Sequence, residues 1–337
     1  LMARLGSADP VEVHSDMADL IEGFDIGRFG AAPTKFDVND LFPLTARLLH
    51  ERDFAEVRDE IARIGVPDAL AERFWTVTRD ALERIDPLAV VRAGVGYDNV
   101  DVEAAADLGV VVTNAPAYSR AEVGEHALAL TLAAVRRLST YDRSTRDGEW
   151  DWAVAHPPRR LAEATVGFVG FGTIAQSIAP AYVALFEDAV AYDPYVDEVV
   201  AAEHGVELAS FESVVECADA LCVFAPLTEE TRALVDANAL SRLPADAVVV
   251  NVGRGAIVDD AALASALDDG PVAAAALDVL PTEPPVDSPL VGRDDVLVTP
   301  HAGWSSREAA ADLLETVAST VAAVVDDDPV ADRVRVT

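Results

Sequence analysis

The stretch that decides the fold is "TVGFVGFGTIAQSIAP", Thr165–Pro180. It opens with an apolar run typical of a β-strand, Thr165–Gly170, and a helical pattern follows. Between them lies a turn with two glycines, Gly170 and Gly172, and a third small residue, Ala175. A strand, a glycine turn and a helix in this order let the backbone approach a pyrophosphate, and the helix N-terminus offers it free N–H groups. We therefore predict a dinucleotide site at this turn.

An acidic residue further along indicates which dinucleotide binds. The strand-like run Ala189–Tyr192 is followed by Asp193, 18 residues after Ala175. A carboxylate in that place can accept hydrogen bonds from a ribose diol, and it repels a 2′-phosphate. We therefore expect NAD as the cofactor. The contacts expected from this unit are Gly170, Gly172, Thr173, Ile174 and Asp193.

The same alternation of apolar runs and helical stretches extends from about Leu88 onward. Near-continuous apolar strands separated by helices indicate a parallel sheet covered on both faces. We predict an α/β fold with a doubly wound (Rossmann) domain over residues 114–305. Asp259 and Gly270 are expected to begin and end one helix, whereas Pro180 is expected to kink or shorten the helix after the glycine turn. The predicted strands are Leu88–Arg92, Val110–Thr113, Thr165–Gly170, Ala189–Tyr192, Ala220–Phe224, Ala247–Asn251, Val272–Leu277 and Val296–Thr299, and the predicted helices include Glu122–Arg137 and Asp260–Leu267.

The composition limits the classes of function. A net charge of −34 repels a phosphate backbone, so nucleic-acid binding is not expected. No apolar run approaches the roughly 20 residues needed to span a bilayer, and the beginning of the sequence lacks a secretory pattern. Two cysteines, Cys217 and Cys222, form neither a disulfide framework nor a zinc site. We expect a cytoplasmic protein without membrane contact and without a bound metal.

The balance of charged residues suggests an environment. Acidic residues number 59 against 25 basic ones, and Lys35 is the single lysine. Dense carboxylates with almost no lysine favour a high-salt cytoplasm, because they keep the surface hydrated there. An acidic surface combined with a GC-rich genome explains the same composition, so both interpretations stay open.

Three further stretches carry polar residues at places where ligands bind. They are "VVVNVGRGAIVDDAAL", "ALDVLPTEPP" and "VLVTPHAGW", and each places a polar residue just past the carboxyl end of a predicted strand. Open α/β sheets bind their ligands at that edge. The three polar residues are Arg254, Glu283 and His301.

From about Leu82 to the C-terminus the sequence resembles the D-isomer-specific 2-hydroxyacid dehydrogenase family. The motifs "VRAGVGYDNVD", "VGFVGFGTIA", "APLTEETRALVD", "NVGRGAIVD", "ALDVLPTEPP" and "TPHAGW" occur in the order and approximate spacing of that family. Within the family, the branch that resembles C-terminal-binding proteins looks closest, on the strength of "EWDWAV" and of Trp304, three residues after the histidine.

The resemblance implies reduction of a small 2-keto acid by NADH, or the reverse oxidation of a D-2-hydroxy acid. His301 would donate the proton, because imidazole titrates near neutral pH, and Glu283 would pair with it and fix its ring. Arg254 would bind the substrate carboxylate with its planar fork. The other implied substrate contacts are Arg92, the backbone N–H groups of Val95 and Gly96, and Trp304. The other implied cofactor contacts are Pro226, Thr231, Val252 and, at the nicotinamide amide, Asp278.

Other interpretations stay open at this point. Trp304 suits core packing as well as substrate contact, and His126 is expected to be a helix-packing residue. A related enzyme acting on 3-phosphoglycerate is one alternative, which the near absence of lysine disfavours. A module that binds NADH with little turnover is another, and a steady-state assay separates it from an enzyme. A tRNA-binding fragment is a third, which the charge disfavours.

The first part of the chain does not fit the family. Family members open with a strand and build the first half of a flavodoxin-like substrate domain. Residues 1–81 contain instead the stretches "SDMADLIEGFDIGRFGAAPTKFDVNDLFPLTARLLH" and "RIGVPDALAERFWTVTRD". These resemble a helical region of bacterial glutamyl-tRNA synthetases. We therefore expect a helical, foreign segment at 1–82, with an unusual native substrate domain as the alternative. The substrate domain, 83–113 plus 306–337, would then be incomplete. The family also implies a homodimer.

Overall fold

The computed structural model describes residues 89–98, 100–325, 330 and 336. The chain divides into two units, Leu1–Pro87 and Leu88–Thr337, and the described residues belong to the second. The expected helical segment 1–82 and its resemblance to synthetases therefore lie outside the described residues. The same holds for most of the chain after Val325.

Strands and helices alternate along the described chain, as the sequence predicts. The strands are β1 (Ala89–Val91), β2 (Val111–Thr113), β3 (Thr165–Val169), β4 (Asp188–Tyr192), β5 (Glu207–Leu208), β6 (Ala220–Val223), β7 (Ala247–Asn251), β8 (Val272–Leu277) and β9 (Val296–Val298). The helices are α1 (Val102–Asp107), α2 (Arg120–Val135), α3 (Leu138–Arg146), α4 (Thr173–Val183), α5 (Glu198–Glu203), α6 (Phe211–Cys217), α7 (Ala237–Ser241), α8 (Asp260–Asp269) and α9 (Arg307–Val325).

Seven of these strands form one parallel sheet in the order β5-β4-β3-β6-β7-β8-β9. The order reverses at β3, which lies between β4 and β6. In such a sheet the crevice outside the carboxyl ends of the two central strands is where ligands bind. The predicted doubly wound α/β fold is therefore confirmed. Within the described residues β1 and β2 form a separate parallel pair.

Burial on both faces explains why the strands read as continuous apolar runs. Every residue of β6 and of β7 is buried. Neighbouring residues of one strand enter different halves of the core, since Phe168 packs in one cluster and Val169 in the other. Helices cover both faces, and the sheet is the middle layer of three.

The predicted helix boundaries are mostly confirmed. The Asp259 side chain accepts a hydrogen bond from the N–H of Ala262, and α8 ends at Gly270, as the sequence indicates. Pro180 does not end the helix, because α4 continues for three residues beyond it to Val183, and the expected kink stays a prediction. The helix continues because Tyr182, which follows Pro180, is fully buried and packs edge-on against Phe168. No helix within the described ranges has the length and apolar character of a membrane span.

Candidate active site

The glycine turn joins β3 to α4 at the point where the strand order reverses. Gly170 has a φ of +88°, and a Cβ added there would lie 2.6 Å from the backbone nitrogen of Ala225 after β6. Only glycine fits this position, because a side chain meets both strain and a neighbouring backbone. Gly172 is the N-cap of α4, and Thr173 and Ile174 are its first residues. The free N–H groups of a helix start therefore lie at the crevice, which suits a pyrophosphate.

Asp193 is tied to this turn. One carboxylate oxygen accepts a hydrogen bond of 2.8 Å from the N–H of Phe171 inside the glycine turn, and the other accepts one of 2.9 Å from the N–H of Tyr195. The acid is thus held at a fixed place beside the turn, and each oxygen keeps a lone pair for a ribose hydroxyl. The residues present fit the dinucleotide that the sequence predicts.

The remaining expected cofactor contacts lie on neighbouring loops. The Thr231 hydroxyl donates to the carbonyl of Pro226 at 2.6 Å and accepts from the N–H of Thr228 at 2.8 Å, so it braces its own loop. Val252 follows β7 and is buried. Contacts of Pro226, Thr231 and Val252 with a coenzyme stay predictions.

His301 and Glu283 form the central pair. The Nδ1 atom of His301 lies 2.7 Å from Oε2 of Glu283. The other oxygen of Glu283 accepts a hydrogen bond of 3.0 Å from the N–H of Leu280. Because both oxygens of the carboxylate are engaged, the imidazole ring is held in one orientation, and its Nε2 atom is left for a substrate.

The backbone of His301 is strained. Its φ is +53°, a left-handed conformation that few residues other than glycine adopt. Its N–H donates to the carbonyls of Asp278 at 2.8 Å and of Thr299 at 3.0 Å. Such strain persists only where the surroundings enforce it, and it collects at functional sites.

Arg254 is held by the loop that follows β1. Its Nε donates to Oδ1 of Asp98 at 2.9 Å, and its Nη1 donates to the carbonyl of Gly253 at 2.9 Å. A Cβ added to Gly96 would lie 1.4 Å from Nη2, so the guanidinium occupies the space that a side chain at 96 needs. In the described contacts, one hydrogen on Nη1 and both hydrogens on Nη2 remain for an incoming carboxylate.

Arg92 lies close to Arg254 and is half-buried. Burial lowers the pKa of its guanidinium, and the neighbouring charge of Arg254 lowers that pKa further. Among the described residues its Nε has no hydrogen-bond partner although it is buried. Arg92 and Arg254 are neighbouring cations, and among the described residues only Arg254 has a carboxylate within 4 Å. Such a pair favours an anionic ligand.

Trp304 lies against Tyr118 instead of in a core cluster. The two ring centroids are 6.1 Å apart, with an interplanar angle of 59°. Burial raises the pKa of the Tyr118 phenol, while the charges of Arg92 and Arg254 act to lower it. The aromatic pair therefore borders the two arginines, and substrate contact by Trp304 stays a prediction.

Asp278 and His126 meet behind the loop that carries His301. Asp278 is 3% exposed and accepts from the Thr299 hydroxyl at 2.6 Å and from the N–H groups of Ala302 and Gly303 at 2.8 and 2.9 Å. The Nε2 atom of His126 lies 3.0 Å from the Thr299 hydroxyl and 3.3 Å from Asp278. The expectation that His126 only packs a helix is therefore too narrow.

The structure thus joins the predicted site residues in two groups. His301, Glu283 and Asp278 form one group at the ends of β8 and β9, and Arg254 joins Arg92 and Gly96 in the other. The backbone carbonyl of Val95 accepts a hydrogen bond of 2.7 Å from the Asn114 side chain.

Sequence reasoning missed Asp98, Asn114, Tyr118, His126 and Thr299. Asp98 lies inside the quoted motif "VRAGVGYDNVD", which was the available signal.

Within the described ranges, no three His, Cys, Asp or Glu side chains are grouped to hold a metal ion. The prediction of a site without metal is not tested by this observation.

Comparison with protein families gives one family model. Residues 128–303 match the model described as D-isomer specific 2-hydroxyacid dehydrogenase, NAD binding domain. A curated relative from Mycobacterium tuberculosis strain H37Rv, named D-3-phosphoglycerate dehydrogenase, is 42% identical over 282 residues, covering 83% of this chain and 53% of the relative. A relative of the same name from Bacillus subtilis is 37% identical over 273 residues, covering 80% and 51%. The chain spans about half the length of these curated relatives.

Solved structures share the architecture. D-lactate dehydrogenase from Aquifex aeolicus, complexed with NAD and lactic acid, matches with a TM-score of 0.68 and 25% identity, over 74% of this chain and 80% of that one. NAD-dependent formate dehydrogenase from Staphylococcus aureus, in complex with NAD, matches with a TM-score of 0.70 and 28% identity, over 77% and 78%.

Proposed function

The chain belongs to the D-isomer specific 2-hydroxyacid dehydrogenase family, and we propose that it is an NAD-dependent oxidoreductase that interconverts a D-2-hydroxy acid and its 2-keto acid. The observation that carries this proposal is the 2.7 Å contact between His301 Nδ1 and Glu283 Oε2. An imidazole oriented by a carboxylate is suited to proton transfer near neutral pH.

Each polar group of the site has a task in this reaction. The coenzyme, when bound, supplies or accepts the hydride. His301 gives a proton from Nε2 to the carbonyl oxygen during reduction and takes it back during oxidation. Arg254 binds the carboxylate through Nη1 and Nη2, while Asp98 keeps Nε engaged. The same guanidinium polarises the neighbouring carbonyl.

The test is an NADH-consumption assay with glyoxylate, pyruvate, hydroxypyruvate and bulkier 2-keto acids, run in low and in high salt. We expect turnover with at least one acid and none with simple aldehydes, because Arg254 requires a carboxylate. Tight binding of NADH without turnover on any acid would instead support the NADH-sensing alternative.

A second candidate substrate is 3-phosphoglycerate. The curated relatives from Mycobacterium tuberculosis and Bacillus subtilis carry the name D-3-phosphoglycerate dehydrogenase. The cluster of Arg92 and Arg254 supports a substrate with a second anionic group, because the Arg92 Nε has no partner among the described residues. Oxidation of 3-phosphoglycerate with NAD belongs in the same assay, beside D-lactate and D-glycerate.

Asp193 is proposed to set the preference for NADH. The change Asp193→Asn should relax the preference for NADH over NADPH by about tenfold or more, because placing like charges together costs on the order of a few kcal/mol. The control is Asp197→Asn, which changes a nearby carboxylate that caps α5. Dissociation constants measured by NADH and NADPH fluorescence check the expectation. A parent protein that already prefers NADPH contradicts it.

The exposed tryptophans support a homodimer. Trp150 and Trp152 are 90% and 78% exposed, within the segment that follows α3. Tryptophan is enriched where protein surfaces meet, because it buries a large apolar area. We propose that a second copy of the chain covers this segment. Sedimentation of the parent and of a Trp150→Ser, Trp152→Ser variant tests this, and an unchanged sedimentation coefficient would rule it out.

Several finer assignments complete the proposal. The branch resembling C-terminal-binding proteins is supported by "EWDWAV" and Trp304. A high-salt cytoplasm is supported by the acidic composition, and its reducing character by the free thiols of Cys217 and Cys222. The domain limits 83–113 plus 306–337 and 114–305 are supported by the two separate sheets.

The origin of residues 1–81 is a separate proposal. The synthetase-like sequence there supports a foreign segment. Against it, the match of 282 residues to the Mycobacterium tuberculosis relative is longer than the segment 82–337, so it extends upstream of residue 82. Replacing residues 1–81 by a family-typical N-terminal half tests this proposal: a large gain in turnover supports a foreign segment, and an unchanged rate refutes it.

A further inference from the structure

The carboxylate of Asp278 organises the loop that carries His301. Its oxygens accept the N–H groups of Ala302 and Gly303, and its backbone carbonyl accepts the N–H of His301 itself. Three consecutive N–H groups of the loop therefore bond to one residue. The left-handed φ of His301 needs such support, because the surroundings must over-determine a strained backbone.

A buried carboxylate needs compensation of its own. Asp278 is 3% exposed, and a charge removed from water is costly unless it is paired or hydrogen-bonded. Among the described residues no arginine or lysine lies within 4 Å of it, and the only ionisable partner is His126 on α2, at 3.3 Å. His126 lies 173 positions from Thr299 along the chain, yet the two side chains are 3.0 Å apart.

The directions of these hydrogen bonds follow from the number of protons that the Thr299 hydroxyl and the His126 ring can donate. The Thr299 hydroxyl has one proton, which it donates to Asp278 at 2.6 Å. Its oxygen must therefore accept from His126, whose Nε2 carries the proton. The same N–H points at a second acceptor, the nearer oxygen of Asp278. His126 thus donates to both the Thr299 hydroxyl and the Asp278 carboxylate.

We propose that His126 is a positioning residue for the proton-transfer group, acting through Thr299 and Asp278. The path has three steps. His126 fixes the Thr299 hydroxyl, Thr299 and His126 together fix the Asp278 carboxylate, and that carboxylate fixes the backbone on which His301 stands. His126 touches neither Glu283 nor Arg254, so it acts on the placement of His301 and not on carboxylate binding. The catalytic part of this inference rests on the proposed function.

The test compares two substitutions at one position. His126→Leu removes the donor and keeps a side chain of similar bulk, whereas the amide of His126→Gln can place an N–H near the position of Nε2. We expect kcat of His126→Leu to fall roughly 10- to 100-fold, the range that a small misplacement of a reacting group produces. The KM for the keto acid should stay unchanged, because Arg254 is untouched. His126→Gln should recover most of the lost kcat.

Controls separate this role from a loss of folding. His156→Leu makes the same change at an exposed histidine and should leave kcat unchanged. If His126→Leu does not fold, Thr299→Val breaks the same path with an isosteric side chain and should lower kcat with an unchanged KM. An equal loss of kcat in His126→Leu and His126→Gln, or parent-like kcat in both His126→Leu and Thr299→Val, overturns the proposal.

A second readout does not depend on turnover. The ring Cε1–H resonance of His301, assigned by comparison with His301→Gln, should shift in His126→Leu and stay in place in His126→Gln. If the parent reduces no keto acid, the proposed function fails while this readout still tests the positioning role. A His301 resonance that is unmoved in His126→Leu refutes that role.

Discussion

Replacing His301 by Ala should lower kcat by roughly 10²- to 10⁴-fold, the usual contribution of general acid–base catalysis. The reason is that Nε2 of His301 is the proposed proton donor, while Glu283 engages Nδ1 at 2.7 Å. The affinity for NADH should not change, because His301 makes no hydrogen bond to the glycine turn or to Asp193 within the described residues. Steady-state rates and NADH fluorescence titrations measure the two quantities separately.

Two further variants make this experiment decisive. Asn tolerates the left-handed backbone better than Ala does, so His301→Asn removes the acid with less strain at a φ of +53°. His301→Ala and His301→Asn should show the same large loss of kcat. The matched control, His156→Ala, changes an exposed histidine that pairs with Asp246. A loss of kcat smaller than about tenfold in His301→Asn would be below the smallest contribution expected of an acid–base group. That result would mean that His301 is not the proton donor.

Replacing Arg254 by Gln should lower kcat/KM for the keto acid by roughly 10²- to 10⁴-fold. Two hydrogen bonds from a guanidinium to a carboxylate are lost, each worth roughly 1.5–3 kcal/mol because the groups are charged. In the proposed function the Nη atoms make these bonds, since Nε is engaged by Asp98 at 2.9 Å. Initial rates over a range of keto-acid concentrations give kcat/KM, and NADH binding should be unaffected.

The comparison with lysine shows whether charge or shape matters. Arg254→Lys keeps the positive charge but loses the planar fork, so it should recover only part of the lost kcat/KM. Arg160→Gln, at an exposed arginine paired with Glu163, is the matched control and should leave kcat/KM unchanged. Full activity in Arg254→Gln would mean that another group, such as Arg92, holds the carboxylate.

The strands of the main sheet were predictable because a strand that is buried on both faces has a nearly continuous apolar sequence. The run Ala247–Asn251 is apolar except for its last residue, and the strand has the same bounds. The strand β5 was missed because it is two residues long and begins with the exposed Glu207. Pro180 does not shorten its helix at that position, because the burial of Tyr182 outweighs the local cost of proline in a helix.

The candidate site was predictable only where its residues lie in motifs. Arg254, Glu283 and His301 each follow a strand and stand in recognisable sequence contexts. The partners that hold them are different, since Asp98 is 156 residues from Arg254 and His126 is 173 from Thr299. No local periodicity connects such pairs, because only the folded sheet brings them together.

The close approach of Arg254 to Gly96 affects how variants of this protein should be interpreted. A saturation library at position 96, selected for turnover, should return glycine almost alone, although the backbone there has no left-handed φ and no atom of the residue need react. The selection would report on the guanidinium of Arg254, which any Cβ displaces. Position 96 should therefore show strong epistasis with position 254. Gly96→Ala should be severe beside arginine and far milder once residue 254 is Gln, where the Asp98 carboxylate oxygen, 2.9 Å from the added Cβ, still has to move.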